Sequence, residues 1–141
     1  MKPSRKQSAM LGLDTNVLVR LLIRDDAAQL KRAEKLVRRE CTTSDPGWVS
    51  VIVLCELVWV LETAYGYKRP DIQSVVEHLL KTPIFRVEGE VMVSKALNAW
   101  ASSNCDLADM LIAARNQNDG CTTTYTFDRK AAKQPGFTAV P

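Results

Sequence analysis

Short apolar segments alternate with longer amphipathic stretches along this chain of 141 residues. The clearest amphipathic stretch covers residues 69–82, and Pro70 and Asp71 at its start are typical of a helix N-terminus. Its apolar side chains recur at helical spacing: Ile72, Val75, Val76, Leu79 and Leu80. Strands that alternate with helices usually pair in parallel, because each helix carries the chain back across the sheet. The pattern predicts an α/β fold with helices on both faces of a mainly parallel sheet.

These patterns place five strands and five helices. Strands are predicted at residues 9–13, 48–49, 84–87, 121–125 and 137–140, the last at a sheet edge. Helices are predicted from Asp25 or Asp26 to about Glu40, and at residues 51–65, 69–82, 91–101 and 106–118. Ser50 and Gly66 are the expected caps of the second helix. Residues 1–8 are polar and are expected to form a disordered extension, so residues 9–141 make up the predicted single domain.

The residue composition is that of a globular domain, with 46% apolar and 25% charged residues. The apolar segment 9–13 ends at Asp14 and is too short for the core of a signal peptide. The apolar run 49–61 contains Glu56 and is shorter than the roughly 20 residues that a membrane span requires. The chain is therefore predicted to be soluble, with no membrane partner.

Four cysteines lie far apart in the sequence: Cys41, Cys55, Cys105 and Cys121. They form no CxxC pair and the chain has a single histidine, His78, which argues against a zinc site. Because His78 lies within the predicted helix 69–82, a serine or cysteine nucleophile would lack its base. The net charge of +3 is too small to identify a nucleic-acid partner, and the basic stretch 31–39 is interpreted as a solvated helix face. The separated cysteines are predicted to be reduced thiols. Because reduced thiols are typical of the cytoplasm, the cytoplasm is the expected location.

Five carboxylates occupy positions from which they can converge: Asp14, Glu56, Asp106, Asp109 and Asp128. Asp14 and Asp128 each follow a predicted strand, and the carboxyl ends of parallel strands meet at one edge of a sheet. Asp106 and Asp109 lie three residues apart in the first turn of a predicted helix, so both point to one face. Glu56 lies within a helix among apolar residues, where a solitary carboxylate needs a partner.

Each of these acids, taken alone, has an ordinary structural explanation. Asp14 and Asp106 would be helix N-caps. Asp128 would be a turn residue, and Glu56 would pair with a buried basic residue. Taken together, however, the acids have no obvious basic residue on the same faces, and a metal ion would neutralise them. Ligation by oxygen alone favours Mg²⁺ or Mn²⁺, and such a site can activate water to hydrolyse a phosphodiester bond.

Four segments carry a family pattern: LDTNVLVRLL at residues 13–22, VLCELVWVLE at 53–62, DLADMLIAA at 106–114 and TFD at 126–128. In this order and spacing they resemble the PIN domain, in particular the VapC-type toxins of bacterial toxin–antitoxin modules. The resemblance covers nearly the whole chain from Ala9 onward. Any one motif is weak, whereas the ordered set is specific. Two departures are the extension at residues 1–8 and Leu107, which stands where an aromatic residue is common.

The resemblance implies a three-layer α/β/α sandwich, Mg²⁺-dependent endoribonuclease activity, a homodimer and a small VapB-like antitoxin. Carried over by motif, the catalytic acids are Asp14, Glu56, Asp109 and Asp128. The implied metal ligands are Asp14, Asp106, Asp109 and Asp128. Asn16 and Thr126 would hold carboxylates in place by hydrogen bonds. Whether Asp106 or Asp109 is the closer ligand stays open, because a three-residue spacing lets either reach the metal.

Three other classes of protein compete with this interpretation. Aspartyl-phosphate phosphohydrolases also begin with a strand followed by DxD, but Asn16 replaces the second acid here. A receiver-type phosphoacceptor domain needs an acidic pair after its first strand, which Thr15 and Asn16 do not supply. The serious alternative is a PIN-like module that binds RNA or protein without cleaving. Retention of all the acids argues against that alternative.

Overall fold

The structure is a computed structural model that describes residues 9–141. The predicted disordered extension, residues 1–8, lies outside the described residues. The strands are β1 (Leu11–Gly12), β2 (Gly47–Val49), β3 (Phe85–Val87), β4 (Thr124–Thr126) and β5 (Phe137–Ala139). The helices are α1 (Thr15–Leu22), α2 (Ala27–Glu40), α3 (Val51–Tyr65), α4 (Arg69–Lys81), α5 (Glu90–Ala101), α6 (Leu107–Asn118) and α7 (Arg129–Ala132).

The strands pair in parallel in two hydrogen-bonded groups. One group has the order β1-β2-β3, with Gly12 opposite Trp48 and Val49 opposite Val87. The other group pairs β4 with β5, with Thr124 opposite Phe137. Helices connect the paired strands, as parallel pairing requires. The predicted α/β fold with parallel strands and covering helices is confirmed.

Helix α3 forms the centre of the core. The Ser50 hydroxyl accepts a hydrogen bond from the Val53 backbone N–H at 3.2 Å, and Gly66 ends the helix at a φ of 67°, a left-handed conformation that glycine adopts without strain. Both predicted caps are therefore confirmed. Leu54, Leu57 and Leu61 are fully buried on α3, which packs against α1, α4 and α6. Helix α3 therefore contacts α1 and α6, the helices that are preceded by Asp14 and Asp106.

The predicted helix at residues 69–82 is present as α4 and ends one residue earlier, at Lys81. Ile72, Val76 and Leu79 bury the stripe that the spacing predicted, while His78 is exposed. All four cysteines are free thiols. Within residues 9–141, no helix has the length and apolar character needed to cross a membrane.

Two helices, α1 and α7, were not predicted from the sequence. Helix α1 has eight residues and α7 has four, so neither is long enough for helical periodicity to stand out from other patterns. Asp14 is the N-cap of α1 and Asp128 is the N-cap of α7. The two missed helices therefore begin at two of the predicted site residues.

Candidate active site

Asp14 lies at the point where β1 gives way to α1. The Leu13 backbone N–H donates to the Trp48 carbonyl at 3.0 Å, which extends the pairing with β2 as far as the residue before Asp14. The Oδ1 atom of Asp14 accepts a hydrogen bond from the Thr15 backbone N–H at 2.7 Å. Oδ2 makes no hydrogen bond with another described residue, and the side chain is exposed. Asp14 is thus oriented by the main chain, with one carboxylate oxygen available to a ligand.

Asp106 and Asp109 form a capping box at the start of α6. The Asp106 backbone N–H donates to Oδ2 of Asp109 at 3.3 Å. Burial raises the pKa of Asp109, the hydrogen bond from Asp106 lowers it, and the charges of Asp106 and Asp128 raise it further. Asp109 is therefore close enough to both of the other aspartates to sense their charges.

Asp128 is held by a short turn after β4. Its Oδ1 atom accepts hydrogen bonds from the backbone N–H groups of Lys130 and Ala131, at 2.8 and 3.1 Å. Its own backbone N–H donates to Oγ1 of Thr126 at 3.0 Å. The Thr126 hydroxyl thus contacts the main chain of Asp128 and not its carboxylate.

A side-chain hydrogen bond ties α6 to β4. The Asn116 amide donates from Nδ2 to Oγ1 of Thr124 at 2.9 Å. The helix that carries Asp109 and the strand that leads to Asp128 are consequently fastened to each other. This contact helps to explain why residues 19 positions apart in sequence sense each other's charge.

Cys105 and Glu62 report on the same cluster of acids. Burial raises the pKa of the Cys105 thiol, the charges of Asp109, Asp128 and Asp106 raise it further, and Arg69 lowers it. Burial also raises the pKa of Glu62, the charge of Asp106 raises it further, and Arg69 lowers it. All three aspartates therefore lie within electrostatic range of one buried thiol, which sequence spacing did not identify as a neighbour of the site.

Arg69 is a second residue that the sequence did not connect with the acids. Its guanidinium lies 4.6 Å from the centre of the Trp100 ring. Nη1 donates to the Trp100 carbonyl at 2.9 Å, and Nη2 donates to the Cys105 carbonyl. Arg69 thereby fastens both ends of the segment that leads from α5 to Asp106. Helix α4 thus brings a basic residue close to Cys105, which precedes Asp106 in the chain, but Arg69 forms no ion pair with any of the five acids among the described residues.

Glu56 is exposed on α3, so the expectation that it needs a neutralising partner is wrong. Ile52 and Trp59, one turn before and after it, are 69% and 66% exposed. This side of α3 faces solvent although its sequence is apolar, and apolar neighbours in sequence did not imply burial. Glu56 makes no hydrogen bond or ion pair within the part of the chain that the structure describes. The structure places it on a helix that packs against both α1 and α6.

Asn16 lies in the first turn of α1 and is exposed. Its side chain makes no hydrogen bond to Asp14 or to any other of residues 9–141. It lines a cavity of about 600 Å³ between α1 and α2, together with Arg20, Arg32 and Leu36. In this structure Asn16 faces that cavity, and its role in holding a carboxylate stays a prediction.

The aspartates share one arrangement that bears on metal binding. Asp14, Asp109 and Asp128 each use one carboxylate oxygen to accept a backbone N–H at the start of a helix, and the other oxygen makes no hydrogen bond with a described residue. Hard carboxylate oxygens are the donors that Mg²⁺ and Mn²⁺ prefer, so the donor chemistry fits these ions. Among residues 9–141, however, no three acidic, cysteine or histidine side chains are grouped at metal-binding spacing.

Comparison with known proteins shows which family this chain belongs to. The chain is similar to a VapC ribonuclease of Aquifex aeolicus (strain VF5), with 27% identity over 128 residues, which cover 91% of this chain and 93% of the relative. The family model for the PIN domain matches residues 12–136, a range that includes all five predicted site acids. Because this match extends over most of the chain, the protein belongs to the PIN-domain family.

Proposed function

We propose that this protein is a metal-dependent endoribonuclease that acts as the toxin of a VapBC-like toxin–antitoxin pair. The observation that carries the proposal is that α6, which begins with Asp106 and Asp109, is hydrogen-bonded through Asn116 to the strand that leads to Asp128. The charge of Asp128 contributes to the raised pKa of Asp109. Like charges near Asp109 are costly to keep together, and a divalent cation would relieve the repulsion. The family match and the similarity to a VapC ribonuclease support the same activity.

The metal ligands in this proposal are Asp14, Asp106, Asp109 and Asp128. Asp14 and Asp128 are exposed, so their side chains can rotate to bring the second oxygen to an ion. Bound Mg²⁺ or Mn²⁺ supplies a water of lowered pKa and stabilises charge on the phosphoryl group. Glu56 has both carboxylate oxygens unengaged by the described residues, and we assign it the role of accepting a proton from the attacking water. The water oxygen would bond to phosphorus as its proton passes to Glu56, the bond to the leaving ribose oxygen would break, and that oxygen would take a proton from solvent.

One protein partner follows from the same charge distribution. An acidic pocket that metal neutralises incompletely would attract a guanidinium, which can pair with two carboxylates at once. A small VapB-like antitoxin that places an arginine there would silence the enzyme and displace the metal. We also propose a homodimer, as the family resemblance implies.

Incubation of the purified protein with structured RNA tests the enzyme directly. We expect cleavage with Mg²⁺, none with EDTA, and none with the Asp128→Asn variant in either condition. The matched control is Asp26→Asn, because Asp26 caps α2 in the same manner, through a hydrogen bond from the Gln29 backbone N–H at 3.0 Å. Binding of RNA without cleavage in Mg²⁺ would instead favour the non-catalytic module.

A further inference from the structure

We propose that Phe127 stacks on an unpaired RNA base next to the bond that is cut, and that the basic side chains of α7 and its C-cap hold the adjoining phosphates. This inference rests on the proposed nuclease function and adds a site for substrate recognition. The residues concerned are called the stacking strip: Tyr125, Phe127, Arg129, Lys130 and Lys133.

Phe127 stands out by the combination of exposure and position. Its side chain is 88% exposed, and that of Tyr125, two residues earlier, is 64% exposed. Isolated exposed apolar side chains are common on proteins, so exposure alone does not mark a site. Phe127, however, lies directly between Thr126 and the site residue Asp128. A base stacked on its ring would lie beside the acids.

The backbone around Phe127 is fixed on both sides. The Thr126 carbonyl accepts a hydrogen bond from the Val140 N–H at 3.1 Å, and the Thr126 hydroxyl accepts one from the Asp128 N–H at 3.0 Å. The Asp128 carboxylate in turn accepts hydrogen bonds from the first turn of α7. An aromatic ring on a constrained backbone loses little conformational entropy when a ligand binds to it. Phe127 therefore has the properties of a preformed stacking platform.

The charges after Phe127 fit a polyanion. Arg129, Lys130 and Lys133 are exposed, and none forms an ion pair with another of the described residues. A cluster of carboxylates repels phosphate groups, so a nucleic acid can approach it only if cations lie at its border. Exposed aromatic and basic side chains in alternation are the combination by which proteins hold single-stranded nucleic acids.

Three substitutions at position 127 separate stacking from plain apolar contact. Phe127→Ala and Phe127→Leu should each raise the KM for a short single-stranded RNA by about tenfold, within the range measured for loss of one stacked base. Phe127→Trp should keep the wild-type KM, because the aromatic face is retained. Val91→Ala is the control, since Val91 is 70% exposed on α5 and is not part of the site. The increase in melting temperature on addition of Mn²⁺ should be the same in all variants, which would show that Asp128 keeps its place.

Two further measurements act on the ligand. In a set of RNAs, each RNA carries one abasic nucleotide at a different position around the cleavage point. For one of these positions, the RNA should bind wild type about tenfold less well, and the same RNA should bind Phe127→Ala as well as the intact RNA does. Changing Arg129, Lys130 and Lys133 together to glutamine should reduce the salt dependence of RNA binding, by about 0.7 in the logarithmic slope for each phosphate that is no longer neutralised. Both are measured by fluorescence anisotropy in EDTA, so they do not depend on cleavage.

The outcomes separate this inference from the proposed function. If Phe127→Leu binds RNA as wild type does, or if Phe127→Ala leaves RNA binding unchanged, the stacking site is overturned even when the enzyme cleaves. If Phe127→Ala weakens only self-association or antitoxin binding, the strip is a protein-docking surface and the inference is likewise overturned. If wild type fails to cleave with Mg²⁺ but shows the predicted losses of RNA binding, the nuclease proposal fails and the stacking site stands.

Discussion

The N-termini of α2 and α6 both carry two acidic residues, yet the two regions differ in what surrounds those acids. At α2, Asp26 caps the helix while Asp25 pairs with Arg20 at 2.8 Å and accepts a hydrogen bond from the Tyr65 hydroxyl at 3.3 Å. At α6, the Asp106 backbone N–H donates to the Asp109 carboxylate, and neither side chain forms an ion pair with another of the described residues. The charges that raise the pKa of Asp109 are again those of aspartates.

This contrast shows what distinguishes a structural cap from a candidate site. The local chemistry is the same, since in each region a carboxylate accepts a backbone N–H at the start of a helix. The tertiary surroundings differ, because α2 starts beside a cation and a hydroxyl whereas α6 starts beside another acid and a buried thiol. The acids at the start of α6 form no ion pair with another described residue, and a bound metal ion would neutralise their charges. The variants below act on one region at a time.

The largest expected effect is on catalysis. Asp14→Asn removes a metal-ligating charge but keeps an oxygen that can cap α1, so the helix content should be unchanged. We expect kcat for RNA cleavage to fall by at least about a hundredfold, comparable to loss of one group that stabilises the transition state. Asp26→Asn should cleave at the wild-type rate. Steady-state kinetics and circular dichroism measure both, and equal activity of the two variants would remove the distinction between the regions.

Replacement of Arg69 should lower stability next in order of size. Arg69→Met leaves the Trp100 and Cys105 carbonyls without their charged donor, and we expect the free energy of unfolding to fall by about 2–4 kcal/mol. The free energy of unfolding of Arg69→Lys should lie between those of Arg69→Met and wild type, because one ammonium group cannot reproduce the planar pair of donors. Urea unfolding measures the change. The control is Arg24→Met, since Arg24 is exposed and forms no ion pair with the described residues; a loss as large in the control would contradict the assigned role of Arg69.

The pH dependence of stability should differ between the two regions by a smaller amount. Burial and the charges of Asp106 and Asp128 raise the pKa of Asp109 in the folded state. A raised folded pKa means that the folded state binds more protons than the unfolded state between the two pKa values, so stability falls as pH rises through that window. In EDTA, Asp109→Asn should therefore melt at a higher temperature than wild type at pH 7, and the difference should shrink as pH is lowered towards 4. A lower melting temperature for the variant at pH 7 would contradict this account.

The smallest effect concerns the two acids of α6 themselves. Asp109 is half-buried and senses Asp128, whereas Asp106 is exposed at the N-cap. We therefore expect kcat to fall less in Asp106→Asn than in Asp109→Asn. The two variants should differ by about tenfold, which is the lower end of the effects seen for groups around a metal. Rates measured at saturating Mg²⁺ compare the two. The reverse order would assign Asp106 as the closer ligand.

Much of the fold was predictable because its signals are local. The apolar stripe of α4 and the caps Ser50 and Gly66 depend on residues within a few positions of one another, and all are present in the structure. Helices α1 and α7 were missed because eight and four residues contain too few turns to show a period. Either Asp25 or Asp26 could have capped α2, and the structure selects Asp26.

The candidate site was predictable in its acids but not in their surroundings. The placement of Asp14 and Asp128 after strands follows from the order of elements. The exposure of Glu56 could not be deduced, since it depends on which side of a largely apolar helix α3 remains uncovered. The approach of Arg69 to Cys105 depends on how α4 packs near the end of α5, which no spacing in the sequence specifies.

The central claim is that Asp14, Asp106, Asp109 and Asp128 together hold a divalent metal ion. Calorimetric titration of Mn²⁺ into the EDTA-treated, dialysed protein tests it most directly, with the variants Asp109→Asn, Asp128→Asn and Asp26→Asn titrated alongside. The account predicts saturable binding by wild type and Asp26→Asn, weaker at pH 5 than at pH 7 because protons compete for the ligands, and loss of binding in both site variants. Binding that persists in Asp109→Asn and Asp128→Asn, or that is absent from wild type at pH 7, would contradict it.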